Sequence, residues 1–291
     1  MKRKIRFIVN PKSGIQSKKN IPGLIAQYLD TESFEYDIKE TEYRYHAIKI
    51  TEESIAEGFE IVCAVGGDGS VHEVGTALIG TTIKMAIIPA GSGNGLARHL
   101  KIPMDTKAAI ETINNSKADI MDTVKVNDRS FLNVGGFGFD SLIAKQFDSD
   151  KRRGFWGYVK LIRKEFFGYR ASHFEIEIDG VKTKKKLILC TIANANEYGN
   201  GFSISPKSEV NDGIIELSLL HPFRFWHFPA MVLCFFKKQH AKSRFIEIIP
   251  FTKAKITLEK AVAHYDGEPF EVDNEINIEV VPQSLHILVG K

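Results

Sequence analysis

The chain is poor in cysteine, carries almost no net charge and has no long apolar run. Its three cysteines, Cys63, Cys190 and Cys234, are odd in number and far apart. They draw neither a disulfide framework nor a metal-binding spacing, which fits a reducing, cytoplasmic compartment. Lysine and arginine total 39 against 36 aspartates and glutamates, a net charge of +3. So small a balance excludes a general nucleic-acid field, and any basic partner site must be local. No stretch approaches the roughly 20 apolar residues that span a bilayer. The basic opening, MKRKIRFIVNPKSG, holds too short an apolar run for a signal peptide. Low-complexity tracts are absent. So are two well-known phosphate-binding signatures. GxxxxGK followed by Ser or Thr does not occur, and GSGNGLA from Gly91 lacks the third glycine of GxGxxG.

What is present is a globular composition, 43% hydrophobic and 26% charged over 291 residues. That length suggests two domains, here read as 1–122 and 123–291, each able to bury a core. The first half repeats one pattern three times: apolar strand, polar glycine-rich loop, helix. Residues 4–9 run into Asn10-Pro11-Lys12-Ser13-Gly14. Residues 61–65 run into Gly66-Gly67-Asp68-Gly69, with Ser70 placed to cap a helix over 71–79. Residues 84–88 run into Pro89-Ala90-Gly91-Ser92-Gly93-Asn94-Gly95. The alternation predicts a parallel sheet with helices on both faces. Ligands of such sheets sit outside the strands' carboxyl ends. Glycines there let backbone N–H groups approach a phosphate, and a helix N-terminus adds positive potential. Asp68 among such donors would repel a phosphate unless it held a cation or took a proton. The plainer reading of any one loop is a tight strand-to-helix turn; three on one sheet edge favour a phosphate site.

Near residues 119–123 the pattern changes to short strands and turns, which predicts an antiparallel β-sandwich or barrel-like domain. Two segments interrupt it. Residues 139–167 read as helical and mix Lys151, Arg152, Arg153, Lys160, Arg163 and Lys164 with Phe155, Trp156 and Tyr158. Residues 223–236, FRFWHFPAMVLCFF, are strongly apolar and are followed by Lys237-Lys238. Core helices with solvated basic ends explain both. That is the favoured reading of either helix alone; the functional alternative is an apolar slot or membrane-facing lip with cations drawn to anionic headgroups. Asp179-Gly180 reads as a hairpin turn. Asp266 and Glu268, two apart on extended chain, would face the same side. One could then hold Mg²⁺ through water while the other receives a hydroxyl proton.

Together these motifs resemble the diacylglycerol kinase catalytic family of lipid kinases, which includes bacterial lipid kinases, sphingosine kinases and ceramide kinases. The matching stretches, in order, are Asn10–Gly14, Gly66–Ser70 with Glu73, PAGSGNGLAR from Pro89, NANEYGNGFSISP from Asn194, Asp212-Gly213 and Asp266-Gly267-Glu268. The resemblance implies an ATP-binding α/β domain, a C-terminal β-sandwich and an active site in the cleft between them. It implies that Asn10, Ser13, Gly66, Gly67, Gly69, Ser92, Gly93 and Asn94 line the nucleotide phosphates, with Ser70 and Glu73 in the same binding set. Asp68, Asp212 and Glu268 would anchor an Asp–water–Mg²⁺ network. Asp266 would be the general base, a role that sphingosine-kinase-like accounts give to Asp68 instead. Ser70 and His72 stand where Thr and Asn are usual in bacterial members, and Asn200 interrupts a glycine run.

The expected activity is Mg²⁺-dependent transfer of the ATP γ-phosphoryl to a lipid hydroxyl of diacylglycerol or sphingoid type. The expected partner is a lipid at the membrane surface, met by peripheral contact and without nucleic acid, with homodimerisation left open. Two other readings stand beside it: an NAD-kinase-like small-molecule kinase, and a catalytically silent nucleotide-binding or membrane-adaptor protein.

Overall fold

The computed structural model of the chain describes residues 2–12, 20–149, 155–166, 168–258 and 262–290. Two compact units emerge. The first comprises Met1–Met121 and Gln283–Lys291, and the second Asp122–Pro282.

In the first unit, strands and helices alternate: β1 Arg3–Val9, α1 Ile21–Tyr28, β2 Phe34–Glu40, α2 His46–Ala56, β3 Ile61–Gly66, α3 Asp68–Leu78, β4 Lys84–Pro89, α4 Gly95–His99 and α5 Thr106–Asn114. The strands lie in the order β2-β1-β3-β4, and all three pairs are parallel. Every residue of β3 is buried, so both faces of this sheet are covered. α1 packs with α5, and α2 with α3. Arg6, buried on β1, is neutralised by Asp37 at 2.9 Å and Glu57 at 2.7 Å, as a charge in such a place requires.

The second unit holds β5 Lys117–Val126 (from Asp122), β6 Arg129–Phe131, β7 Val134–Gly138, α6 Phe139–Ser149, α7 Phe155–Phe166, β8 Ser172–Ile178, β9 Val181–Leu187, β10 Leu189–Ala193, β11 Glu197–Gly199 and β12 Phe202–Ser203. Then follow β13 Ile215–Leu220, α8 Phe228–Phe236, β14 Ile246–Phe251, β15 Lys253–Leu258, β16 Val262–Tyr265, β17 Glu268–Glu271 and β18 Glu275–Val289. One antiparallel sheet runs β14-β13-β10-β7-β16-β17; the first part of β18 pairs with β15, β15 with β8, and β8 with β9. Strand alternation divides the apolar residues. Cys190, Ile192, Ile215 and Leu217 join a core with Phe174, Ile256 and Ile278 from the second set of strands. Leu189, Ala193 and Leu220 face the other way, onto Phe139, Ile143, Met231 and Phe235 of α6 and α8. The outcome is a sandwich with helices on one outer face.

The expected α/β domain followed by an antiparallel β-sandwich is therefore the observed architecture. The differences are local. α3 starts at Asp68 with Gly67 as N-cap, so Ser70 lies inside the first turn and is not the cap. Within the stretch 139–167, the described residues form α6 and α7. Strands expected at 276–281 and 285–289 form one strand, β18, in which Gln283 has φ +49°. The last residues of β18 join the first unit, where Ile287 pairs with Met85 of β4. Periodicity cannot register that return, because both halves of β18 simply look apolar. Ser13, Lys151, Arg152 and Arg153 lie outside the described residues.

Candidate functional site

In the first unit the parallel register brings the three loops level. Val9 stands opposite Val65, and Gly66 opposite Pro89. Backbone bonds continue past the strand ends: Asn10 N–H donates to Val65 O at 3.1 Å, and Ala90 N–H to Gly66 O at 2.7 Å. Asn10 then reaches sideways, its Nδ2 donating to Ser70 Oγ at 3.3 Å. The loops after β3 and β4 touch backbone to backbone. A Cβ on Gly91 would stand 2.5 Å from the Cα of Gly67, and one on Gly67 would stand 3.1 Å from the Cα of Gly91. Glycine at Gly91 is thus demanded by the contact between loops, whatever else binds there, and the fit at Gly67 is tight.

Asp68 fastens the same contact. Its Oδ2 accepts the Asn94 N–H at 2.9 Å and its Oδ1 the Gly95 N–H at 2.8 Å. The carboxylate of one loop therefore takes the first amides of the helix that follows the other loop. Asn94, in the left-handed region at φ +54°, closes its own loop: Oδ1 accepts from Gly91 N–H at 3.0 Å, and Nδ2 donates to Gly91 O at 2.9 Å. Arg98 Nε donates to Gly93 O at 3.0 Å. Ser92 and Gly93 stay half-exposed at the tip. No side chain caps the start of α3, so its first amides suit an anion such as a phosphate. Glu73 does something else. Its two oxygens accept the N–H groups of Tyr45 and Ala47, both at 3.1 Å. It caps the start of α2, a structural role that the motif does not announce.

In the second unit Asp266 and Gly267 are the two-residue loop of the β16–β17 hairpin, with φ +51° and +88°. Both angles are positive, as a type I′ turn requires. The pleat argument that aimed Asp266 and Glu268 to one side is overturned, because Asp266 is not on extended chain. Glu268 instead pairs with Tyr265 across the hairpin. Asp266 is 6% exposed and turns inward. It accepts from the backbone N–H groups of Leu132 (3.0 Å), Asn133 (2.8 Å) and Val134 (3.2 Å). Asp212 is exposed on the turn before β13, where its Oδ1 accepts the Ile214 N–H at 2.9 Å. Among the described residues no three His, Cys, Asp or Glu side chains gather as a metal cage. Mg²⁺ does not need one, since it is commonly held by one or two carboxylates together with substrate phosphates. The donor chemistry present fits that mode.

Two family descriptions cover these two units. "Diacylglycerol kinase catalytic domain" matches residues 4–126. "YegS C-terminal NAD kinase beta sandwich-like domain" matches residues 133–289. The chain belongs to the diacylglycerol kinase family. It is 26% identical over 272 residues to a diacylglycerol kinase of Bacillus subtilis, covering 91% of this chain and 90% of that one. It is also 26% identical over 246 residues to a diacylglycerol kinase of Mycobacterium tuberculosis, covering 81% and 78%. The crystal structure of a diacylglycerol kinase from Bacillus anthracis superposes with a TM-score of 0.74 at 20% identity, over 99% of this chain and 97% of that one, and so shares the fold. Membership in a lipid kinase family makes nucleotide use the expected chemistry of the glycine loops.

Within this diacylglycerol kinase family member, two buried carboxylates escaped the sequence reading. Asp122 is wholly buried on β5, and its Oδ2 accepts the Gly213 N–H at 2.7 Å. It thereby holds the Asp212-Gly213 turn. Asn194, also buried, donates from Nδ2 to the carbonyls of Asp122 and Leu132 at 2.9 and 2.7 Å. Asp140, at the start of α6, is a hub. Its Oδ2 accepts from Tyr198 OH (2.7 Å), Thr191 Oγ1 (2.9 Å) and His264 Nε2 (3.1 Å). A carboxylate only accepts, so His264 donates from Nε2; its Nδ1 is buried without a partner. The signal for Asp140 was a lone acid directly after the apolar strand β7. No spacing rule links it to residues some 50 and 124 positions away. Glu216, on the face of β13 that carries Leu220, has its carboxyl pushed up by burial.

Proposed function

We propose that this chain is an ATP- and Mg²⁺-dependent kinase that phosphorylates a hydroxyl of a diacylglycerol-type lipid presented at a membrane surface. The observation that carries the reading is the level, mutually stitched set of three polar loops at the carboxyl ends of adjacent parallel strands. Phosphoryl transfer asks mainly for positioning and charge neutralisation. The uncapped amides of α3, with Asn10, Ser70, Ser92, Gly93 and Asn94, hold the phosphates. Gly66, Gly67 and Gly69 let the backbone come close, and the Asp68 bonds keep the loops in register. Mg²⁺, when bound, offsets phosphate charge, and Asp212, Asp68 and Glu268 are the carboxylates assigned to it. Asp266 and Asp68 compete for the role of base toward the acceptor hydroxyl.

The test is transfer of radiolabel from ATP to a panel of diacylglycerol, monoacylglycerol, sphingosine, ceramide, undecaprenol and NAD. Labelled phosphatidic acid is the expected product. Labelling of NAD alone would replace the lipid reading with small-molecule kinase activity. Absence of any labelled product, with ATP still bound, would leave a silent binding protein. In the same assay Asp212→Ala should raise the Mg²⁺ concentration needed for half-maximal rate; an unchanged requirement would remove Asp212 from the metal set.

A further inference from the structure

The second unit shows an apolar surface that its own core does not use. α8 reads FPAMVLCFF, without one polar side chain. Its inner side is accounted for: Met231 and Phe235 are buried, and Phe235 stacks on Phe202 at 4.9 Å. Its outer side is not. Leu233 is 51% exposed, and Pro229 and Ala230 are exposed as well. Just ahead of the helix, the 3₁₀ turn Phe225–His227 puts Phe225 at 62% and Trp226 at 54% exposure. The two rings meet edge to face at 5.1 Å. Isolated exposed apolar residues are ordinary, but three large ones within nine residues are a patch.

Along the chain, the charge that flanks this patch has one sign. Residues 221–246 contain Arg224, Lys237, Lys238, Lys242 and Arg244, and no aspartate or glutamate. All five are exposed. The next acid along the chain, Glu247, is occupied by Lys185 at 2.7 Å and His221 at 2.9 Å. The Arg224 guanidinium lies over the Trp226 ring at 5.0 Å. A nine-residue helix is about 13.5 Å long, and no helix among the described residues is long and apolar enough to cross a membrane. An aromatic pair, an apolar helix face and an all-basic rim together match a segment that lies in the headgroup region.

We infer that Phe225, Trp226 and the outer face of α8 form the surface that docks on an anionic bilayer. This rests on the lipid-kinase reading for its purpose, though not for its measurement. A second copy of the chain fits less well. A two-fold contact would set two all-basic rims against each other.

The test uses the full chain and vesicles of phosphatidylcholine with about a third phosphatidylglycerol, an anionic surface that attracts basic side chains. Three proteins are compared by sedimentation: wild type, Phe225→Ser with Trp226→Ser, and Lys237→Glu with Lys238→Glu. Each double variant should lose about tenfold or more in vesicle affinity, with unchanged thermal midpoint because all four sites are exposed. Wild-type binding should weaken with salt and on pure phosphatidylcholine. In a Trp156→Phe background, Trp226 emission should shift to the blue when vesicles are added. Equal pelleting of wild type and both variants would overturn the assignment. So would a concentration-dependent dimer that the aromatic substitutions convert to monomer, which would give the surface to a second copy. Phosphorylation of short-chain diacylglycerol dispersed in detergent should survive in the variants. Loss of vesicle binding with that activity retained separates docking from chemistry. Normal vesicle binding by a chain without kinase activity would sink the proposed function and leave the docking surface standing.

Discussion

Asp179-Gly180 and Asp266-Gly267 are the same dipeptide in the same turn. Both close a two-residue antiparallel hairpin, with φ +51° and +78° in one and +51° and +88° in the other. Yet Asp179 is exposed, while Asp266 is buried beneath three backbone N–H donors from the β6–β7 junction. The turn chemistry is local and identical. Sheet position does not separate them, since β9 and β17 are both edge strands and β8 and β16 each have a second partner, β15 and β7; what differs is that the β6–β7 junction runs against the Asp266 turn. A dipeptide therefore specifies a backbone shape, and only its long-range neighbours give the carboxylate a task.

The largest effect should come from Asp266→Asn. An amide offers one acceptor oxygen where three N–H groups now find two, and its NH₂ would face donors. A loss of about 2–4 kcal/mol in urea unfolding is expected, together with loss of lipid phosphorylation. Unchanged stability with lost activity would leave the base role without a structural one; full activity would remove Asp266 from the chemistry. Asp68→Asn should come next, at about 1–3 kcal/mol, because it breaks a single tie between two loops. ATP affinity should fall with it as the Ser92–Gly95 loop is released, and calorimetric titration with ATP checks this.

Glu216→Gln tests a carboxyl whose surroundings disfavour its charge, because burial outweighs the Ser208 hydrogen bond. Burial raises its pKa in the folded state. The folded protein thus binds that proton more tightly than the unfolded chain does. The associated stability is complete below the ordinary glutamate range and drains away as pH rises through the raised value. The glutamine variant should match wild type in acid, exceed it modestly at pH 7–8, and show a flatter midpoint-against-pH curve. A variant curve parallel to wild type would refute the buried-charge account. The smallest change belongs to Asp179→Asn, since asparagine serves a type I′ turn as well. A shift within about 0.5 kcal/mol is expected. A shift as large as that of Asp266→Asn would dissolve the contrast between the two turns.

Much of the first unit was legible. Its strands are continuous apolar runs because both faces of a parallel sheet are covered, and its loops announce themselves with Asn, Pro, Gly and Ser. The order of the motifs along the chain is by itself enough to point to the family. The tasks of individual residues were less legible. Gly67 is expected at a phosphate, whereas it also lies against the backbone of Gly91, a glycine given no role by the motif. Glu73 lies in a motif but caps α2. Asp122 and Asp140 carry no local pattern, although each organises groups on distant strands.

The sequence by itself determined the alternating α/β half, the sandwich half, the turns and the polar loops, because period, propensity and turn chemistry act over a few residues. The tertiary structure alone decided which carboxylates meet backbone N–H groups, which glycines touch, and which apolar face of α8 is left over. Those outcomes depend on residues brought together from 26 positions apart, for Asp68 and Asn94, to 134, for Leu132 and Asp266. Packing sets such meetings, and no short-range rule in the chain records them.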